Sequence, residues 1–186
     1  MLPVEVAEVV STSVPALKAA MGREGDLVPE RLARGCRCFA GWLGPDVVAY
    51  GWLSNRAEWI GELGLEIEPG GGEAYVWNCV TLPAHRNKGI FRALLLSIAV
   101  QARREGLVRL WIGSIGAVGE VAVAEAGFRP VLRIDGLSLL WLRSLAVRAV
   151  EGADSGSVTA ARHVLAERGG PLPVSCSLRR ARSRRH

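Results

Sequence analysis

The sequence predicts a mixed α+β fold, a sheet with helices on its faces. Three features carry that reading. Short β-branched and aromatic runs follow one another, a long amphipathic helix succeeds the most strand-like of them, and apolar runs flank Asp135-Gly136. The chain of 186 residues is long enough for one core and marginal for two. With 49% apolar and 22% charged residues it belongs among globular proteins.

Residues 2–21 hold two apolar stretches split by Ser11-Thr12-Ser13 and Pro15. They predict one or two helices, with Thr12 or Ser13 capping the second and Pro15 in its first turn. Gly22 to Gly25 reads as a turn, and Pro29 opens a short helix, PERLARG, closed by Gly35. Cys36 to Trp42 and Val47 to Leu53 read as strands joined at Gly44-Pro45-Asp46. Leu63 to Ile67 is a third strand, and PGGGE (Pro69–Glu73) is a hairpin loop into the next. Its glycines are not followed by a helix with GK[ST], so it is no phosphate loop.

The stretch Asn78 to Glu105 organises the rest. The strand YVWNCVTL stops at Pro83, which cannot donate to a ladder. The helix that follows repeats Ile90, Leu94, Ile98 and Ala102 at four-residue spacing. Leu107 to Ile115 is strand-like after Gly106, a helix C-cap. Gly116-Ala-Val-Gly-Glu then leads to a short helix, VAVAEAG, closed by Gly127. Phe128 to Ile134 and Leu137 to Leu142 read as a hairpin turning at Asp135-Gly136. The composition changes at Ala146, which divides the chain into a domain over 1–145 and an extension over 146–186. The extension holds a helix at Val158–Arg168, a stop at Gly169-Gly170-Pro171 and the basic, low-complexity tail SLRRARSRRH, read as solvated.

Composition excludes several classes. No window reaches the roughly 18 apolar residues of a membrane span, and the acidic start MLPVEVAEVV lacks the basic region of a signal peptide. Cys36, Cys38, Cys79 and Cys176 lack zinc-site spacing, so no metal is expected, and a reduced, cytoplasmic setting is the simplest reading. Cys36 and Cys38 face the same way on a strand. The net charge of +5 equals the five arginines of the last eight residues, which leaves the body near neutral. Nucleic-acid contact is therefore confined to the tail, which has no aromatic residue for stacking.

Between strand and helix, Arg86-Asn87-Lys88-Gly89 gathers free backbone N–H groups, a positive dipole end and two cations. That suits a phosphate or pyrophosphate, and an ordinary turn with solvated cations is the alternative. The surrounding VTLPAHRNKGIFRALL resembles the acetyl-CoA-binding segment of the GNAT superfamily of N-acetyltransferases, whose R/Q-x-x-G-x-G/A loop wraps the cofactor pyrophosphate. Arg86, Asn87, Lys88, Gly89, Ile90 and Phe91 occupy its positions, Phe91 departing from the small residue usual at the last.

The order of elements resembles the family over roughly Leu32 to Trp141. The resemblance implies a mostly antiparallel, twisted central sheet of about six to seven strands with helices on both faces. It implies acetyl-CoA, or another acyl-CoA, as cofactor and a primary amine of a small molecule or peptide as acceptor. Met21 to Leu32 would face that acceptor. The strand would splay at about Cys79 to Leu82, the pantetheine arm pairing with Val80, Thr81 and Leu82, and a backbone N–H binding the developing oxyanion.

For the general base, strand alternation puts Glu73, Tyr75, Trp77, Cys79 and Thr81 on one face and Ala74, Val76, Val80 and Leu82 on the other. Glu73 is the first choice, acting directly or through water, and Glu66 the second, an exposed hairpin carboxylate being the plain alternative. His85 reads as a surface histidine beside the loop. Aligned on Gly127-Phe128, the family's Tyr general acid falls on Val123 and its Asn on Gly116, neither of which can donate through a side chain. Tyr75 or Ser114 are the alternative donors. An N-acetyltransferase, a CoA-binding module without turnover, and a nucleic-acid-associated protein using the tail are the functions in play, each compatible with a homodimer.

Overall fold

The computed structural model describes residues 4–61, 64–139, 142–166 and 177–180. They divide into two compact units, Met1–Ala57 with Pro69–Phe128, and Glu58–Glu68 with Arg129–His186. In chain order the elements are β1 (Glu5–Glu8), α1 (Val14–Met21), α2 (Val28–Ala33), β2 (Arg37–Leu43), β3 (Asp46–Ser54), β4 (Glu58–Ile60), β5 (Leu65–Ile67), β6 (Glu73–Thr81), α3 (Ile90–Arg104), β7 (Arg109–Ile112), α4 (Gly116–Glu125), β8 (Leu132–Leu139), β9 (Leu142–Ala149), α5 (Ser155–Ala166) and β10 (Ser177–Arg180).

The first unit is a sheet of order β1-β2-β3-β6-β7 with helices on both faces. Its first four strands pair antiparallel, and α3 crosses over to make β6–β7 parallel. On one face Ile90, Leu94, Leu95 and Ile98 of α3 pack on Phe39, Val48, Leu53 and Val76. On the other, Leu17 and Met21 of α1 and Val28 of α2 pack on Cys38, Tyr50 and Trp52. Leu94, Ile98, Leu17 and Val28 are wholly buried, and side chains of this size each contribute about 1.5–3 kcal/mol by leaving water.

The central sheet thus has five strands rather than six to seven. The segment around residues 58–67 makes its own β4–β5 ribbon, and β8, β9 and β10 form a separate three-stranded sheet. Residues 2–21 are not all helical either. Glu5–Glu8 is an edge strand whose alternation points Val4 and Val6 at the core and Glu8 at Arg37. Pairing with β2 outweighs its local helix preference. The second helix forms as expected, with Ser13 at its N-cap and Pro15 in its first turn.

Other expectations change for identifiable reasons. Gly22 opens a 3₁₀ segment, Gly22–Leu27, instead of a simple turn. PGGGE connects β5 to β6, which do not pair, so it is a linker and not a hairpin loop. The strand after Gly106 shortens to Arg109–Ile112, and α4 starts at Gly116, whose φ of +70° opens the helix earlier than VAVAEAG. Asp135-Gly136 lies inside β8, opposite Ala146 and Leu145. The long β8–β9 register overrides the local turn signal, and residues 140–141 lie outside the described residues. α5 starts at Ser155 because Asp154 caps it, its Oδ2 accepting from the Ser157 N–H at 2.7 Å. The tail's first residues, Ser177–Arg180, pair with β9, while Gly169-Gly170-Pro171 and Cys176 lie outside the described residues.

An ion network closes the β1 edge. Arg37 donates to Glu8 and to Glu105, joining β1, β2 and the end of α3. Its bonds to Glu8 and Glu105 push the guanidinium pKa up, and the bonds of Glu105 to Arg37 and Gln101 hold that carboxyl below its usual range. All three side chains are about one-third exposed. Arg37→Ala should therefore lower stability by only about 1 kcal/mol, and less in high salt, as urea unfolding at two ionic strengths would show.

Candidate functional site

β6 positions the site. Its ladder with β7 covers only Glu73–Val76, so from Trp77 to Thr81 it has a strand neighbour on one side alone. On that side the register slips. Trp52 faces Trp77 and Tyr50 faces Val80, which leaves Asn78 and Cys79 together opposite Gly51. This is a β-bulge. Asn78 takes φ +44°, and a Cβ on Gly51 would lie 2.8 Å from the Cys79 sulfur, so the bulge needs glycine across from it.

The bulge also corrects the predicted alternation. Ala74 and Val76 share the α3 face with Cys79, whereas Trp77, Val80 and Leu82 turn to the α1 face. One extra residue reverses every side chain downstream.

Beside the open end of β6 lies a groove of about 390 Å³ whose lining includes Thr81, His85, Arg86, Asn87, Gly89 and Phe91. The loop alternates into left-handed conformations at Asn87 (φ +59°) and Gly89 (φ +73°), and Gly89 is the N-cap of α3. Arg86 Nε donates to the Thr81 carbonyl at 3.2 Å and Lys88 Nζ to the Ala84 carbonyl at 2.9 Å. Both cations thereby shape the loop while staying exposed. The Ile90 side chain is buried, so only its backbone can serve a ligand, and Phe91 packs partly on the core. Leu82 directs its N–H to the Val48 carbonyl at 2.9 Å.

Two polar atoms on residues lining this groove, Thr81 Oγ1 and His85 Nδ1, are buried with no hydrogen-bond partner among the described residues. His85, expected at the plain surface, is thus a groove residue. Cations, N-terminal amides and unmatched polar atoms beside an unpaired strand edge fit a long ligand with a phosphate-bearing end and an amide-bearing arm, such as an acyl-CoA.

Glu73 sits at the root of β6. Arg109 donates to its Oε1 and the Trp111 indole to its Oε2 at 2.7 Å, while the Gly70 N–H reaches Oε2 at 3.3 Å. Burial pushes this carboxyl pKa up, but the donors from Trp111, Arg109 and Gly70 outweigh it and hold the group below the usual range. Asn78 stands five positions beyond Glu73, about 16 Å at the ordinary rise of a strand. Tyr75 is buried, its hydroxyl 3.6 Å from where a Gly113 Cβ would stand. Ser114 is exposed just past β7, and Glu66 lies on β5 in the second unit. Val123 packs on the α3-face core and Gly116 opens α4, so neither brings a side-chain donor.

Sequence reasoning missed three residues at the bulge. Asn78 Nδ2 donates to Glu24 Oε2 at 2.7 Å, and Arg31 Nη2 donates to the same oxygen at 3.1 Å. The Arg31 guanidinium lies 4.7 Å from the Trp77 ring centre and 5.2 Å from that of Trp52. The available signals were Asn78 in the middle of a β-branched run and Gly51 inside a strand, either of which marks a bulge.

Among the described residues no group of three His, Cys, Asp or Glu could hold a metal ion, and no helix is long and apolar enough to cross a membrane. Cys36 and Cys38 are buried in one cluster, and burial pushes the thiols of Cys38 and Cys79 up to about 12.

The family model described as the acetyltransferase (GNAT) family matches residues 13–128, which hold β2, β3, β6 and the groove. Among solved structures, an acetyltransferase of Trypanosoma brucei is 16% identical with a TM-score of 0.54, covering 73% of this chain and 99% of that one. An aminoglycoside N-acetyltransferase AAC(6')-Iy in complex with CoA is 11% identical with a TM-score of 0.56, over 73% and 99% of the two chains. The aminoglycoside 6'-N-acetyltransferase AAC(6')-IG of Acinetobacter haemolyticus is 13% identical with a TM-score of 0.53, over 73% and 98%. At these identities the shared property is the fold. No curated protein is significantly similar in sequence.

Proposed function

We propose that this chain, which belongs to the acetyltransferase (GNAT) family, transfers an acetyl group from acetyl-CoA to a primary amine of a small molecule or peptide. One observation carries the reading. The end of β6 beyond its ladder with β7 runs beside a cationic loop at a helix N-terminus, and two buried polar atoms on residues of that groove lack partners among the described residues. The fold shared with aminoglycoside N-acetyltransferases supports an amine acceptor.

In this reading Arg86, Lys88 and the amides of Asn87 to Phe91 hold the pyrophosphate. Val80 and Thr81 pair with the pantetheine arm, with Thr81 Oγ1 and His85 Nδ1 available to it. The cofactor supplies an activated acyl carbon on a thioester. The acceptor nitrogen forms its C–N bond as the C–S bond breaks, the amine gives up a proton to solvent water, and a thiolate leaves. A backbone N–H at the bulge stabilises the charge developing on the carbonyl oxygen. A thiol of pKa about 8.5 is a fair leaving group near neutral pH, so Val123 and Gly116 do not bar turnover.

Glu73, with both oxygens engaged, its pKa held low and its place about 16 Å along β6 from the bulge, suits a fixed anion that braces the root of the strand more than a base. Glu73→Gln should therefore lower kcat by about tenfold or less, against the 10²–10⁴-fold typical of removing a direct base. Steady-state rates at saturating acetyl-CoA decide between them.

The reading itself is tested by calorimetric titration of acetyl-CoA and free CoA, followed by a panel of primary amines with thiol release as signal. Micromolar binding with turnover of an amine is expected. Binding without turnover of any amine would favour a CoA-binding module, the second reading, which rests on the missing side-chain donors at Val123 and Gly116. Absence of binding would overturn both.

A further inference from the structure

We propose that Glu24, Arg31 and Asn78 form a latch that sets the bulge of β6, so that the loop between α1 and α2 fixes the backbone facing the reacting carbonyl. The inference rests on the acetyl-transfer reading and concerns positioning residues, which act through the Asn78 backbone.

Asn78 stands in a left-handed conformation within a strand, flanked by Val76 and Trp77 on one side and Cys79, Val80 and Thr81 on the other. Asparagine tolerates that geometry because its short amide can bond nearby, but nothing in its own sequence neighbourhood compels it there. The partner instead lies 54 residues away, where Glu24 Oε2 accepts from Asn78 Nδ2 at 2.7 Å. The same oxygen accepts from Arg31 at 3.1 Å. Arg31 is 8% exposed, and its charge is held over the rings of Trp52 and Trp77, the latter being the residue just before Asn78. Its other terminal nitrogen, Nη1, has no partner among the described residues, so Glu24 carries the charge compensation of a buried cation.

The loop that presents Glu24 is itself seated against α1. A Cβ on Gly25 would stand 2.4 Å from the Lys18 carbonyl oxygen, so only glycine lets the loop approach this closely. The chain of contacts therefore runs from α1 through Gly25, Glu24 and Arg31 to Asn78, where β6 loses β7 as its neighbour and its backbone becomes available to a ligand. A loop suited to receive the acceptor and a bulge suited to polarise the thioester are thereby one mechanical piece.

The test uses acetyl-CoA carrying ¹³C at the thioester carbonyl. Its stretch is read by isotope-edited infrared difference on the full chain, beside the Kd for free CoA. Wild type should lower the carbonyl frequency on binding. Asn78→Gly keeps the left-handed backbone accessible and leaves the Glu24–Arg31 pair intact, which guards against loss of the fold. It should reduce the downshift by about half or more while the CoA Kd stays within about twofold. Glu24→Ala should do the same from a different segment, and Glu24→Gln, which still accepts from Asn78, should restore most of it. Full downshift in Asn78→Gly and Glu24→Ala, with CoA bound as tightly as in wild type, would sink the latch and leave the acetyl-transfer reading standing. Failure of wild type to bind CoA would remove that reading, and the latch with it.

Discussion

Arg86→Ala/Lys88→Ala is expected to weaken acetyl-CoA binding by about 100-fold. Each cation can supply a charge-assisted bond to a pyrophosphate, worth about 1.5 kcal/mol where solvent is near, and about 3 kcal/mol together corresponds to that factor. The effect has a second source in the loop. Arg86 and Lys88 hold the Thr81 and Ala84 carbonyls, so their loss also loosens the turn that aims the amides of Asn87 and Gly89. Calorimetry at low and high salt checks both parts, since wild-type affinity should fall with salt more steeply than that of the variant. Equal affinity in the two proteins would mean that the phosphates are held elsewhere.

Arg109→Ala is expected to lower stability at pH 7 by about 2 kcal/mol, because it strips the ion partner from a carboxylate whose side chain is 9% exposed. Arg109 is itself 37% exposed, which keeps the figure below that of a fully buried pair. The sign of the pH dependence follows from Glu73. Its folded pKa lies below the ordinary value of about 4.3, so the stability it contributes is present above that value and is lost as pH falls through the lowered one. The gap between wild type and variant should therefore narrow between pH 7 and an acid pH below that lowered pKa. Urea unfolding at the two pH values measures it. An unchanged gap would assign the loss to the packing of Arg109 over Trp111, 5.3 Å from the ring centre, instead of to charge.

Much of this arrangement is legible in the sequence wherever it depends on local periodicity or on punctuation by proline and glycine. The four-residue repeat of Ile90, Leu94, Ile98 and Ala102 predicts α3 and its buried face, and Gly89 and Gly106 bracket it. Pro83 ends the strand and Arg86 to Gly89 mark the loop. What escapes depends on distant partners. Glu5 to Glu8 becomes a strand because β2 is there to pair with, and Asp135-Gly136 is drawn into β8 by the long register with β9. Glu24 gains its place at the site through a contact with Asn78 that no spacing announces. Alternation read along residues 73–82 fails at the one point where a residue is added, and from there it assigns every side chain to the wrong face.

That added residue makes β6 behave like a message with a frame. Upstream, Ala74 and Val76 are read by α3, and downstream, Val80 and Leu82 are read by the opposite layer. Deleting either Asn78 or Cys79 leaves the hydrophobic composition almost untouched and sets a single residue opposite Gly51, so the ladder becomes regular. Val80 would still face Tyr50, so Val80 and Leu82 would stay on the α1 side with Trp77, and what would be lost is the left-handed kink at Asn78. One apolar residue can accordingly replace another along the strand with little consequence, while a single-codon deletion there would keep every face and erase the bulge that opens the strand to a ligand.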